Sequence, residues 1–189
     1  FTYDETSKVL DAEQVSIVLG ETFVLSFQER KGDPFNPTRE RLRTGKGKLR
    51  QRGPDYLAHR LMDAVVDSYY LVISKLGKEV EELEESMLDS PTDDTVQHAY
   101  RLKRELLQLR RFIWPLRDIV SRIERSEATF IQQETMPYLR DVQDHIIQVS
   151  DTLDMFTDML KGLLDAHLSR VSTRMNEVMK TLTVIATIF

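Results

Sequence analysis

One helix sets the terms for everything else this chain can fold into. From about Thr135 to Phe189 the apolar residues recur in steps of three and four, the period of a single unbroken amphipathic helix. Val142, Ile146, Val149, Leu153, Phe156, Leu160 and Leu163 form the first seam, and Leu164, Leu168, Val171, Met175, Val178 and Leu182 continue it after a one-residue skip. At 1.5 Å per residue such a helix is roughly 80 Å long, more than one small domain can cover, so the seam calls for self-association. The last stretch, Leu182 to Phe189, carries no charge and ends without a capping residue. That ending, and a first residue that is Phe1 rather than methionine, lead us to expect truncation at both ends.

Composition narrows the function classes. Of 189 residues 41% are hydrophobic, enough for a core, and the net charge of −5 argues against a general nucleic-acid binder, which would normally be basic. The absence of cysteine removes disulfides, thiolate zinc sites and cysteine nucleophiles, and points to a reducing setting. No signal peptide opens the chain, and no segment reaches the run of about 18 apolar residues that spans a bilayer, so the chain as it stands reads as soluble. Neither a phosphate-cradling glycine loop nor a nucleophile with a paired base is present, so it does not read as an enzyme.

Upstream of the long helix the pattern changes twice. Val15, Ile17 and Leu19, then Phe23, Leu25 and Phe27, alternate with period two about Gly20-Glu21, the signature of a β-hairpin that needs further strands or a helix for stability. Asp33-Pro34-Phe35-Asn36-Pro37 then starts a short helix over about 38–43, inside a basic run from Arg39 to Arg52. That run reads as a solvated loop or as a binder of phosphate or an acidic partner; it has no interleaved aromatic residues to stack bases. Helical spacing takes over from Pro54 to about Asp89 through Leu57, Leu61, Val65, Tyr69, Val72, Leu76, Val80, Leu83 and Leu88. Ser90-Pro91-Thr92 breaks it, and a second arm from about Asp93 to Glu124 completes a helical hairpin. Acids crowd its tip, and basic residues line the returning arm. Pro115 should bend that arm, with Trp114 packed in the bend. The predicted fold class is therefore α+β, predominantly α: a partial α/β domain over 1–53, an acidic helical hairpin over 54–133 and a very long stalk helix over 134–189.

Several acids have metal-compatible spacing. Asp144, Asp151, Asp158 and Asp165 recur every seven residues along one side of the terminal helix, as a solvated face or as carboxylates that share hard cations with another chain. Asp141 and His145 are four apart, within reach of a common ion, and Asp63 and Asp67 repeat that spacing on the earlier helix. Ordinary surface pairs have the same spacing, so neither pair alone defines a site.

A series of strings goes further. Asp33 to Arg41, Asp55-Tyr56-Leu57 with Leu61-Met62-Asp63-Ala64, Arg111-Phe112-Ile113-Trp114-Pro115-Leu116-Arg117, Tyr138-Leu139-Arg140-Asp141-Val142 and Asn176 to Thr183 occur in order along the chain. Together they closely resemble the CorA family of magnesium and cobalt transporters. The resemblance implies an N-terminal α/β domain, an acidic hairpin and a stalk helix that becomes the first membrane span of a homopentamer, with Phe189 inside that span. It implies Mg2+ as both the regulatory and the transported ion, with Co2+ as a further cargo, at the cytoplasmic face of the cell membrane and with no nucleic-acid partner. By the same resemblance Asp141 and Asp63 are carboxylates of regulatory metal sites between neighbouring subunits, and His145 and Asp67 are outer neighbours of the bound ions. Asn176, Met179 and Leu182 match the cytoplasmic part of the pore, a polar ring followed by apolar constrictions; plain coiled-coil packing would suit Met179 and Leu182 equally. Two alternatives stand beside this reading: the zinc-transporting branch of the same superfamily, and a soluble coiled-coil scaffold.

Overall fold

The computed structural model describes residues 2–4, 9–29, 34–89, 91–125 and 130–188. Phe1, Asp33, Ser90 and Phe189, which entered the sequence reading, lie outside them. In chain order the elements are β1 (Thr2–Asp4), β2 (Val9–Asp11), β3 (Val15–Leu19), β4 (Val24–Gln28), α1 (Asn36–Thr44), α2 (Pro54–Asp89), α3 (Asp93–Arg125) and α4 (Met136–Ile188). The strands form two antiparallel pairs, β1 with β2 and β3 with β4, so the fold is predominantly α with a small β portion. Among the described residues no helix is long and apolar enough to cross a membrane.

The hairpin β3–β4 is in register Val15↔Gln28, Ile17↔Ser26 and Leu19↔Val24, closed by the Gly20 N–H donating to Phe23 O at 2.9 Å. This register places Ser16 opposite Phe27 and Val18 opposite Leu25, so the two apolar series fall on opposite faces. Val18, Leu25 and Phe27 remain about half exposed.

The basic run is less a free loop than its charge suggests. α1 ends on Gly45 at φ 68°, a left-handed cap that only glycine adopts without strain. Arg50 then turns back, donating from Nε to Leu42 O at 2.7 Å and from Nη2 to Arg43 O at 2.9 Å, and so satisfies carbonyls that the helix end leaves unpaired. Arg52 lies over the rings of Tyr56 and Tyr138 and donates to Glu134 O, tying the start of α2 to the turn before α4.

The chain forms two compact units, Phe1–Lys75 with Leu109–Leu153, and Leu76–Gln108 with Asp154–Phe189. In the first, Leu61, Tyr69 and Val72 of α2, Leu109, Ile113 and Val120 of α3, and Leu139, Val142, Ile146 and Val149 of α4 are among the buried apolar residues. In the second the buried residues include Leu76, Val80, Leu83 and Met87, then Ala99, Leu102 and Leu106, then Leu160 and Leu164. The α2 stripe thus closes on Met87, four residues after Leu83, whereas Leu88 is 61% exposed because it lies one position out of phase. Trp114 is also outward, 54% exposed, and does not pack into the helix around Pro115. From Leu168 onward the apolar seam of α4 has no cover among the described residues: Leu168, Val171, Met175, Val178 and Leu182 are all at least half exposed.

Candidate metal centre

Two helices of the first unit supply the site. Asp63 and Asp67 are one turn apart on α2, and Asp141 and His145 are one turn apart on α4. A spacing of four residues puts each pair on one helix face. Among the described residues, Asp63, Asp67 and His145 converge so that one potential ligand atom from each lies within 4.8 Å of the others.

Burial differs sharply across this group. The Asp63 side chain is only 10% exposed, and its Oδ2 accepts a charge-assisted hydrogen bond from Arg60 Nη1 at 2.5 Å, one turn earlier on α2. Its Oδ1 faces His145 Nδ1 at 3.9 Å. On the other edge of the imidazole, Nε2 faces Asp141 Oδ1 at the same distance, 3.9 Å, with the Asp141 side chain 66% exposed. Both separations exceed a hydrogen bond. His145 Nδ1 is buried and has no hydrogen-bond partner among the described residues.

Tyr70 fixes the imidazole from the α2 side. Its ring meets His145 edge-on, with centroids 5.9 Å apart, and its hydroxyl donates to Gln148 Oε1 at 2.9 Å. The electrostatics match a crowded acidic patch. Burial and the neighbouring Asp63 carboxylate hold the Asp67 carboxyl above its ordinary value, and burial followed by Asp67 and Asp141 raises the Tyr70 phenol. Carboxylates gathered this way repel one another unless a cation lies among them.

A second histidine sits nearby under different rules. His59 is buried against Tyr56 and Tyr138, with ring centroids 5.6 and 5.3 Å away. Desolvation, followed by the Arg60 charge, lowers its pKa to about 4, so it is neutral near pH 7. Nothing in its spacing had marked it: a lone histidine inside a helical stripe looks like any core residue.

The structure therefore brings Asp63, Asp67, Asp141 and His145 into one neighbourhood. Asn176, Met179 and Leu182 belong to the other unit, on the exposed part of α4, with Met179 and Leu182 58% and 54% exposed. The heptad aspartates Asp144, Asp151, Asp158 and Asp165 are all exposed, as a solvated face requires. The Arg60 partner of Asp63 was legible in principle from its i,i+3 spacing; the approach of two separate helices was not.

The model of the CorA family, described as CorA-like Mg2+ transporter protein, matches residues 1–189, the whole chain. The chain belongs to the CorA family. This CorA-family chain is 49% identical over 189 residues to the cobalt/magnesium transport protein CorA of Thermotoga maritima, covering 100% of this chain and 54% of that protein. It thus spans about half the length of that relative. Its fold is similar to the complete CorA magnesium transporter of Methanocaldococcus jannaschii, with a TM-score of 0.76 at 20% identity over 94% of this chain and 60% of that one. The soluble domain of CorA from the same organism gives 0.66 at 17% identity, over 83% of this chain and 70% of that one. At those identities the structural likeness speaks for the CorA fold.

Proposed function

We propose that this chain is the sensing and gating portion of a CorA-type channel for Mg2+ and Co2+, placed at the cytoplasmic face of the cell membrane as part of a homopentamer. The observation that carries this reading is the 49% identity, along the entire chain, to a protein named for cobalt and magnesium transport. That relative sets Mg2+ and Co2+ ahead of zinc as cargo, and family membership sets a channel ahead of a coiled-coil scaffold.

In this reading Asp141 and Asp63 bind metal at the boundary between neighbouring subunits. The exposed Asp141 carboxylate is free to face another chain, while Asp63 is held in place by Arg60. A divalent cation between carboxylates of adjacent subunits removes their repulsion and favours the closed assembly; its loss shifts the population toward open states. Low internal Mg2+ thereby opens the path, and passive entry restores it. Asn176 forms a polar ring in the path, and Met179 and Leu182 form apolar constrictions, which block ions by excluding water.

The test uses the full-length channel. Replacing Asp141 with alanine should reduce the protection that Mg2+ gives against proteolysis, and protection equal to that of the unaltered protein would remove Asp141 from the sensor.

A further inference from the structure

We propose that the cleft where the end of α3 meets the start of α4 binds a small organic phosphate monoester, with Arg125 and Arg140 holding its dianion. This goes beyond the sensing reading and does not rest on it: none of Asp63, Asp67 and Asp141 lines the cleft.

The cleft has a volume of about 700 Å³ and is lined, among the described residues, by Ser121 and Arg125 of α3, Gln133 of the connecting turn, and Met136, Pro137 and Arg140 of α4. All six belong to the first unit. That volume is in the range of small-molecule sites and is more than a bare phosphate ion fills.

Charge and chemistry select the ligand. Two guanidinium groups and no described carboxylate line the cleft, in a chain whose net charge is −5. The first turn of α4 holds no acidic residue to offset the positive end of the helix dipole, so the local field favours an anion. Arg125 donates from Nε to Ser121 O at 3.1 Å, one turn earlier on its own helix, which leaves its two terminal nitrogens for ligand oxygens. A guanidinium fork grips two oxygens at once. Two forks therefore suit a phosphate monoester, with three terminal oxygens and nearly two negative charges, better than a carboxylate with two oxygens and one charge. Met136 and Pro137 offer an apolar wall to the organic body of such a ligand.

The walls are set before any ligand arrives. Gln143 Nε2 donates to Ser121 Oγ at 2.6 Å, joining α4 to α3, and the serine keeps its own O–H to give to a ligand. Buried Asp55 accepts from the Gln132 N–H at 3.0 Å, and the Thr135 N–H donates to Gln132 O at 2.9 Å, which fixes the turn that carries Gln133. The N–H groups of Met136, Tyr138 and Leu139 are bonded to carbonyls of the same turn, so recognition falls to the side chains. A site already in place loses little freedom on binding.

Calorimetric titration of this chain with adenosine monophosphate, in buffer free of divalent cations, tests the assignment; adenosine and inorganic phosphate are the comparison arms. We expect one adenosine monophosphate per chain, with inorganic phosphate competing for the same site at least about tenfold more weakly and adenosine weaker still. Arg125→Gln and Arg140→Gln should each lose about 10- to 100-fold in affinity. Far-UV circular dichroism checks that both variants are folded; Arg125 is exposed and its change serves if Arg140→Gln is not folded. Absence of binding, adenosine bound as tightly as its monophosphate, or unaltered affinity in a folded variant would overturn the proposal. Inorganic phosphate bound as tightly as adenosine monophosphate would overturn the organic ligand. Failure of the sensing reading shows elsewhere, in the protection of the Asp141→Ala channel by Mg2+.

Discussion

His59 and His145 are both histidines of the same unit, yet their surroundings differ. His145 sits between carboxylates at its two ring nitrogens, whereas His59 is enclosed by tyrosine rings and the Arg60 guanidinium, which disfavour its charged form. The unfolded chain takes up a proton on this residue near pH 6.5, and the folded chain not until about 4. The associated stability is therefore fully present above 6.5 and is lost as pH falls through that window, up to about 3 kcal/mol. Thermal melts between pH 7 and 4 should show a shallower decline for His59→Phe, which keeps a ring against Tyr56 and Tyr138 but cannot titrate. Parallel pH profiles for the two proteins would mean that His59 does not contribute to acid sensitivity.

At the scale of elements, close helix contact depends on a single absent side chain. Gly77 of α2 lies against Phe156 of α4, and a Cβ at that position would stand 2.8 Å from Phe156 Cζ. Alanine is the better helix former by about 1 kcal/mol, so the clash and the propensity oppose one another. Overpacking of this kind costs about 1–3 kcal/mol, and we expect Gly77→Ala to destabilise the chain in chemical denaturation. In a Phe156→Leu background, where the ring is gone, the same change should instead stabilise it by about 1 kcal/mol. The far end of α2 has its own requirement. Its last turn holds no basic residue, and Arg170 of α4 supplies the missing cation by donating to Met87 O at 2.6 Å and to Leu88 O at 3.3 Å.

For the whole molecule the unresolved demand is the uncovered seam of α4. Large apolar residues from Leu168 to Ile188 are at least half exposed, more contiguous apolar surface than an isolated chain usually tolerates. On the proposed reading that surface meets other copies and lines the ion path. Polar replacement of Met179 or Leu182 in the full-length channel, for example Met179→Ser, should raise leak currents at high Mg2+. Currents no larger than those of the unaltered channel would return both residues to simple packing between helices.

Periodicity alone determined the helices, the β3–β4 hairpin and the helical hairpin arms, because hydrophobic spacing is local and repeats with the period of the element it builds. The ordered motifs determined the family for the same reason: they are statements about sequence. Only the tertiary structure decided that α2 and α4 place Asp63 and Asp67 beside His145, that Arg50 caps α1 instead of standing free, and that Trp114 faces outward. The first and last of these depend on which helix faces meet and at what rotation, and the second on how the chain turns after Gly45. Residues some eighty positions apart carry no mark of that meeting until packing has brought them together.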